Sequence, residues 1–197
     1  MEFKGKRGIV EVREEIIGRK NVLVAVKRPL TKFYDGKTEF GFLRKLNEKK
    51  IGPKAYYFDE KNNSLVMQYI EGDRVLDHFA LKKTTKKEIL SVIQKILLQL
   101  FCMDKLGINK LEMTNPYKHV IITNAKTPVM IDFERCHYTE YPKNITQFIQ
   151  FLCSGRLNYV FAWKKLSVNK EKLLEIARLY KQTYDKKYIS SIMKQLS

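Results

Sequence analysis

The sequence has no long apolar run, few cysteines and a shortage of acidic residues, and each shortage closes off a class of protein. No stretch approaches the roughly 20 consecutive apolar residues needed to cross a bilayer, so the chain is expected to be soluble with no membrane partner. The start MEFKGKRG carries lysines without an apolar segment or a small-residue cleavage site, which gives no sign of a secretory leader. Cys102, Cys136 and Cys153 are odd in number and widely spaced, which argues against a disulfide framework and against a structural zinc site. A reducing cytoplasm is the expected location. There is no internal repeat, no low-complexity segment and no alternating basic and aromatic tract.

What is present is enough for one substantial core, undivided or in two lobes: 197 residues, 44% hydrophobic and 30% charged. Lys and Arg number 38 against 21 Asp and Glu, a formal net charge of +17. Such a field attracts polyanions, among them nucleotides, RNA, acidic proteins and anionic lipid. The excess is spread over doublets such as Lys82-Lys83, Lys86-Lys87, Lys164-Lys165 and Lys186-Lys187. A solvated lysine-rich surface explains it equally well.

The texture of the chain changes near residue 71. Before it lie short β-rich runs, GIVEVRE (8–14), NVLVAVK (21–27), KAYYFD (54–59) and SLVMQYI (64–70), the last two joined at Asn62-Asn63. One helix interrupts them, starting after Thr38 with Phe42, Leu43 and Leu46 on one face and stopping before Ile51-Gly52-Pro53. After residue 71 the chain reads as mainly helical. Thr85 with Glu88 predicts a capping box, and Ile89, Val92, Ile93, Ile96, Leu97 and Leu100 follow at helical spacing. HVIIT (119–123) and VMIDF (129–133) predict a hairpin across the polar turn NAKTP. Further helices are predicted from Asn144, with Gln147 at capping-box spacing, and beyond Asn169; the aromatics of this last third, Trp163 included, are expected in the core.

Within VMIDF, Asp132 stands between Met130-Ile131 and Phe133. A carboxylate there is costly to bury unless it is paired or metal-bound. Around it, several stretches resemble the protein-kinase superfamily. VAVK (24–27) resembles the VAIK strand, with Lys27 as its lysine; EFGFLRKL (39–46) resembles the helix that supplies that lysine's partner, Glu39; SLVMQYIEG resembles the strand leading into the hinge; and IDFE (131–134) resembles the DFG segment with Glu134 in place of Gly. Their order and spacing look like the small atypical branch of archaeal predicted serine/threonine kinases, abbreviated relatives of the RIO kinases and of the kinase subunit of the KEOPS tRNA-modifying assembly, over about residues 5 to 155.

The resemblance implies an α+β, two-lobed kinase-like fold, with a β-rich nucleotide-binding lobe over 1–70 and a reduced, mainly helical lobe over 71–197. ATP and Mg²⁺ are its implied ligands. Phosphoryl transfer is mostly positioning and charge neutralisation, so Lys27 would grip phosphates, Glu39 would hold Lys27, and Asp132 would hold the metal. The backbone of Met67, Gln68 and Tyr69 would meet adenine. Gly5 and Gly8 stand for a glycine-rich loop that lacks its third glycine, with Lys6 and Arg7 adding charge between them. In place of the His-Gly-Asp of this branch stand Lys110, Leu111 and Glu112, which makes Glu112 the implied base. Tyr117 occupies the offset of the metal-binding Asn, leaving His119 or Asn115 for that role. The APE segment and the large last helices are missing, so the platform for an extended peptide is small.

Three readings from different classes follow. The first is a Ser/Thr protein phosphotransferase, with autophosphorylation included and a small-metabolite acceptor left open. The second is a nucleotide-binding pseudokinase or slow ATPase switch. The third is a basic RNA- or ribosome-associated binding module.

Overall fold

A ten-residue hairpin arm on each side of a two-residue loop organises the first part of the chain. In the computed structural model, which describes residues 1–5, 8–31 and 34–196, β1 (Glu2–Lys4), β2 (Gly8–Ile17) and β3 (Lys20–Pro29) follow one another antiparallel. Lys6 and Arg7, expected to add charge to the glycine turn, lie outside the described residues. Gly18 opens the β2–β3 loop at φ +65°, the left-handed geometry that a two-residue hairpin loop needs and that glycine adopts without steric cost. Pairing runs the full length, from Gly8 opposite Pro29 to Ile17 opposite Lys20, so both strands are longer than their apolar runs predict.

β4 (Ala55–Asp59) and β5 (Ser64–Gln68) complete a sheet of order β1-β2-β3-β5-β4, all of whose pairs are antiparallel. Central β3 is buried continuously from Val24 to Lys27, and Val24, Val26 and Val66 form a cluster joined by Ile17, Val22 and Tyr56. α1 (Gly36–Asn47) packs on this sheet through Phe42, Leu43 and Leu46. Its true start is two residues before Thr38: Asp35 is the N-cap, accepting the Thr38 N–H at 3.0 Å, which places Glu39 in the first turn.

The chain divides into two compact units, Met1–Glu71 with Val129–Cys136, and Gly72–Pro128 with the residues from His137 onward. Phe133 shows why a late segment belongs with the first unit. A Cβ on Gly52 (φ +79°) would lie 2.7 Å from a Leu43 methyl and 2.8 Å from the Phe133 ring, so Phe133 packs directly against that glycine beside α1.

The second unit is built on α3 (Lys86–Lys105), following the short β6 (Asp73–Arg74) and α2 (Val75–Ala80). All six apolar residues of the predicted stripe on α3 are fully buried. Thr85 caps it by accepting the Glu88 N–H, but only half of the expected box forms. The Glu88 carboxylate turns away to His78 Nε2 at 2.9 Å and Lys126 Nζ at 2.6 Å. β7 (Ile108–Lys110) leads into two 3₁₀ turns, Leu111–Thr114 and Pro116–Lys118, and then into β8 (Val120–Ile122), which pairs with β6. The predicted turn after β8 is closed by the Thr123 N–H on the Thr127 carbonyl. β9 (Pro128–Met130) and β10 (Cys136–Tyr138) straddle the division between the units.

Four helices follow: α4 (Asn144–Leu152), α5 (Gly155–Trp163), α6 (Lys170–Thr183) and α7 (Lys187–Met193). Asn169 caps α6 by accepting the Lys172 N–H at 3.1 Å. Asn144 does not cap α4, where Lys143 holds that place with no side-chain bond. Instead Asn144 is buried, donating to Asp104 Oδ1 and to the Ile108 carbonyl, each at 2.7 Å, and accepting the Lys110 N–H at 2.8 Å. The protein is thus α+β, with an antiparallel five-stranded sheet and seven α-helices among the described residues, none of which is long and apolar enough to cross a membrane.

Candidate active site

Lys27 sits where a strand interior meets three carboxylates, all within the first unit. Its ammonium lies 2.8 Å from Glu39 Oε2, 2.7 Å from Asp132 Oδ1 and 3.2 Å from Glu134 Oε2. The side chain is 8% exposed, because β3 is flanked by β2 and β5 and Gly8 lies against its stem; a Cβ on Gly8 would stand 3.6 Å from Lys27 Cε. The Tyr34 ring completes the enclosure with its centroid 5.1 Å from Nζ, within cation–π range. Burial works against the lysine's charge, but Glu39 and Asp132 outweigh it and hold the ammonium above its ordinary pKa.

Glu39 is 1% exposed. Burial pushes its carboxyl above the usual carboxylate range, Lys27 opposes that push, and Asp132 adds to it. The other oxygen, Oε1, accepts the Phe133 N–H at 2.9 Å. One carboxylate therefore ties β3 to the segment that carries Asp132. Burial, with the charge of Glu39 next, also raises the Tyr34 phenol, keeping it protonated across the neutral range.

Asp132 answers this arrangement with an unusual backbone. Its φ of +65° lies in the left-handed region, a conformation in which Asp and Asn are the least penalised side chains after glycine. Around it Phe133 is buried while the Asp132 side chain keeps 35% of its exposure, the most accessible of the three acids. Strain of this kind collects at functional sites.

One carboxylate oxygen from each of Glu39, Asp132 and Glu134 lies within 4.8 Å of the others. Donors at about 2.1 to 2.4 Å from one cation are separated by at most about 4 to 5 Å, so the cluster has the span for a hard divalent ion. Three carboxylates against one ammonium also leave a formal charge of −2. The donor set suits Mg²⁺, Mn²⁺ or Ca²⁺ rather than a thiophilic metal.

The structure brings together Lys27, Glu39 and Asp132, the three residues that the motif order singles out. The Gly5 N–H donates to the Gly8 carbonyl at 2.9 Å. Met67 lies in the sheet, paired with Ala25 and Ala55. The N–H groups of Gln68 and Tyr69 are used within the unit, by the carbonyls of Lys54 (2.8 Å) and Leu23 (3.3 Å). An adenine would therefore have to be met by other backbone groups of this stretch.

Glu112 lies in the second unit, in the first 3₁₀ turn, with Oε2 accepting from Lys110 Nζ at 3.2 Å. Lys110 is fully buried. The turn rests on a buried polar hub: Asp104 accepts from the Asn144 N–H and side-chain amide, the Ile145 N–H and the Tyr180 hydroxyl, and Asn144 in turn holds the backbone of Ile108 and Lys110. Burial dominates the Asp104 carboxyl and pushes it up to about 6 despite those donors. Asn115 is exposed and its N–H closes the turn on the Glu112 carbonyl; His119 is half-buried, its N–H on the Pro116 carbonyl.

The sequence reading names Glu134 only as the residue in place of a glycine and Lys110 only as the one in place of a histidine, without their pairings to Lys27 and Glu112, and it does not reach Tyr34 or the hub. For Glu134 the sequence shows only an acidic residue where the resembled segment has glycine, and it is the left-handed backbone at Asp132 that turns it toward Lys27. The hub is assembled by long-range contacts that no local pattern encodes, whereas Lys110 meets the nearby Glu112 and Tyr34 the nearby Lys27. No family model matches the sequence, and the curated proteins include no match to it.

Proposed function

We propose that the protein is an ATP- and Mg²⁺-dependent phosphotransferase, an atypical serine/threonine protein kinase with the two-lobed kinase-like fold, able to use its own hydroxyls as acceptors. In this reading the first unit is the nucleotide-binding lobe and the second carries the acceptor chemistry. The observation that carries it is the buried Lys27–Glu39 pair beside Asp132, three side chains gathered from separate stretches of the chain.

In the resting arrangement Lys27 is shared among three acids. Arriving phosphate oxygens would replace Asp132 and Glu134 on the ammonium, with Glu39 keeping it in place. That exchange frees the two more accessible carboxylates for a cation. Mg²⁺ held there supplies neutralisation of phosphate charge. The γ-phosphoryl group passes to an acceptor hydroxyl, whose proton goes to Glu112, and ADP leaves. The cytoplasm is the setting of this reading.

A second reading, a nucleotide-binding switch without transfer, is favoured by one observation: Glu112 is held by the buried Lys110, which competes with the acceptor's proton for the carboxylate. Calorimetry and single-turnover transfer of labelled phosphate separate the two. The wild type should bind ATP far more tightly with Mg²⁺ than without, and Asp132→Asn should lose that metal dependence. Glu112→Gln should keep ATP affinity and slow transfer. Metal-dependent binding with no transfer to any hydroxyl would select the switch, and no ATP binding at all would end both readings.

A further inference from the structure

Helix α5 turns its apolar side inward and still leaves two aromatic rings in water. Leu157, Val160 and Phe161 are buried, whereas Tyr159 is 83% and Trp163 54% exposed, contrary to the core position that the sequence predicts for Trp163. The two rings are four residues apart and therefore neighbours on one helix face, with exposed Arg156 three residues before Tyr159. Two exposed aromatics on one helix face, each an apolar body with a polar tip, suit a surface that meets a partner in water.

The surroundings are cationic and fixed. Lys164 Nζ lies 4.7 Å from the Trp163 ring centroid and donates to the carbonyls of Leu81 and Thr84, which fastens the loop bearing exposed Lys82 and Lys83 beside the helix. Lys86 Nζ reaches the Lys165 carbonyl at 3.3 Å. Next to the aromatic face a cleft of about 550 Å³ opens, lined by Asn158, Ala162, Lys165, Ser167 and Lys170 among others. From Arg156 to the end of the chain ten Lys or Arg face three Asp or Glu.

We propose that this face of the second unit binds single-stranded nucleic acid, with bases stacked on Tyr159 and Trp163 and the phosphate backbone running over Lys82, Lys165 and Lys170. Charge alone would admit any polyanion. The exposed ring pair narrows the choice, because unpaired bases offer flat π-faces for stacking while an acidic peptide offers none and a duplex hides its own. This site rests on observations separate from the Lys27 cluster and stands whether or not the chain transfers phosphate.

Trp163 is the sole tryptophan, so its emission reports directly on the site. The full chain would be titrated with 12-nucleotide oligouridylate and oligothymidylate, a 12-base-pair duplex, polyglutamate, and vesicles of phosphatidylserine and phosphatidylcholine. Saturable quenching by the two single strands is expected, with affinity falling steeply as salt rises. By labelled-oligonucleotide anisotropy, Tyr159→Ala and Trp163→Ala should each weaken binding on the order of tenfold. Trp163→Phe, which keeps a stacking surface, should bind nearly as the wild type does. Lys165→Ala with Lys170→Ala should reduce both the affinity and its salt dependence. Absence of quenching, unchanged affinity in Trp163→Ala, or equal binding of the duplex, polyglutamate or vesicles would overturn the proposal.

Discussion

Replacing Lys27 with Met tests the charge balance at the heart of the first unit. The substitution keeps the length of the side chain along Gly8 but removes the ammonium from Glu39, Asp132 and Glu134. Asp132 and Glu134 can turn toward water, whereas Glu39, at 1% exposure and bonded to the Phe133 N–H, cannot. Leaving one buried partner of an ion pair unpaired costs about 3 to 5 kcal/mol. With a urea m-value of about 2 kcal/mol/M, the midpoint should fall by roughly 2 M at pH 8. The loss should be smaller at pH 5, because without Lys27 it is mainly the Phe133 N–H that opposes the burial that already raises Glu39, and protonation relieves the stranded charge. The double variant Lys27→Met with Glu39→Gln should recover much of the stability, since removing both partners strands neither. Urea denaturation at the two pH values checks this. Equal midpoints for wild type and Lys27→Met at pH 8, or an equal loss at both pH values, would refute the reasoning.

Asp104 has its folded pKa pushed up to about 6 from an ordinary 3.8, so its contribution to stability is full below about pH 4 and is lost as pH rises through 6. A shift of two units corresponds to about 3 kcal/mol, read as a falling chemical-denaturation midpoint between pH 4 and 7 that Asp104→Asn should flatten. Tyr180→Phe removes one donor from the buried Asp104 carboxylate and should lower stability by about 1 to 3 kcal/mol at pH 7, checked by thermal melting. Gly52→Ala should cost more than about 1 kcal/mol, because φ is +79° and the new methyl would meet Leu43 and Phe133 at under 3 Å; an unchanged melting temperature would mean that Phe133 is not held there.

Elements held by local periodicity are legible in the sequence, and those held by distant partners are not. The stripe of α3 repeats at helical spacing and is buried as read, and the strands of the sheet announce themselves by apolar runs. α2, with six residues, and α5, with nine, are too short for a periodic signal to stand out. Asn144 and Glu88 mislead in the same way. Each sits at a capping position by its spacing, yet its side chain serves groups far along the chain, Asp104 and Ile108 for one, His78 and Lys126 for the other. At the site, Lys27, Glu39 and Asp132 are recognisable because their types and order carry chemistry. Glu134 instead reads as a substituted glycine until the left-handed turn at Asp132 brings it to Lys27. Trp163 reads as core along with the other aromatics of the last third, and only the packing of Leu157, Val160 and Phe161 decides which side of α5 faces inward.

In the proposed function, Lys27 exchanges two of its carboxylates for the phosphates of a nucleotide. The most direct test of that exchange is a crystal structure of the full chain with a non-hydrolysable ATP analogue and Mn²⁺, chosen because manganese can be located by its anomalous signal. Phosphate oxygens are expected within hydrogen-bond distance of Lys27 Nζ, with the Glu39 contact retained and an anomalous peak at Asp132. A nucleotide bound elsewhere, or Lys27 still held by Asp132 and Glu134 with saturating analogue present, would contradict the exchange.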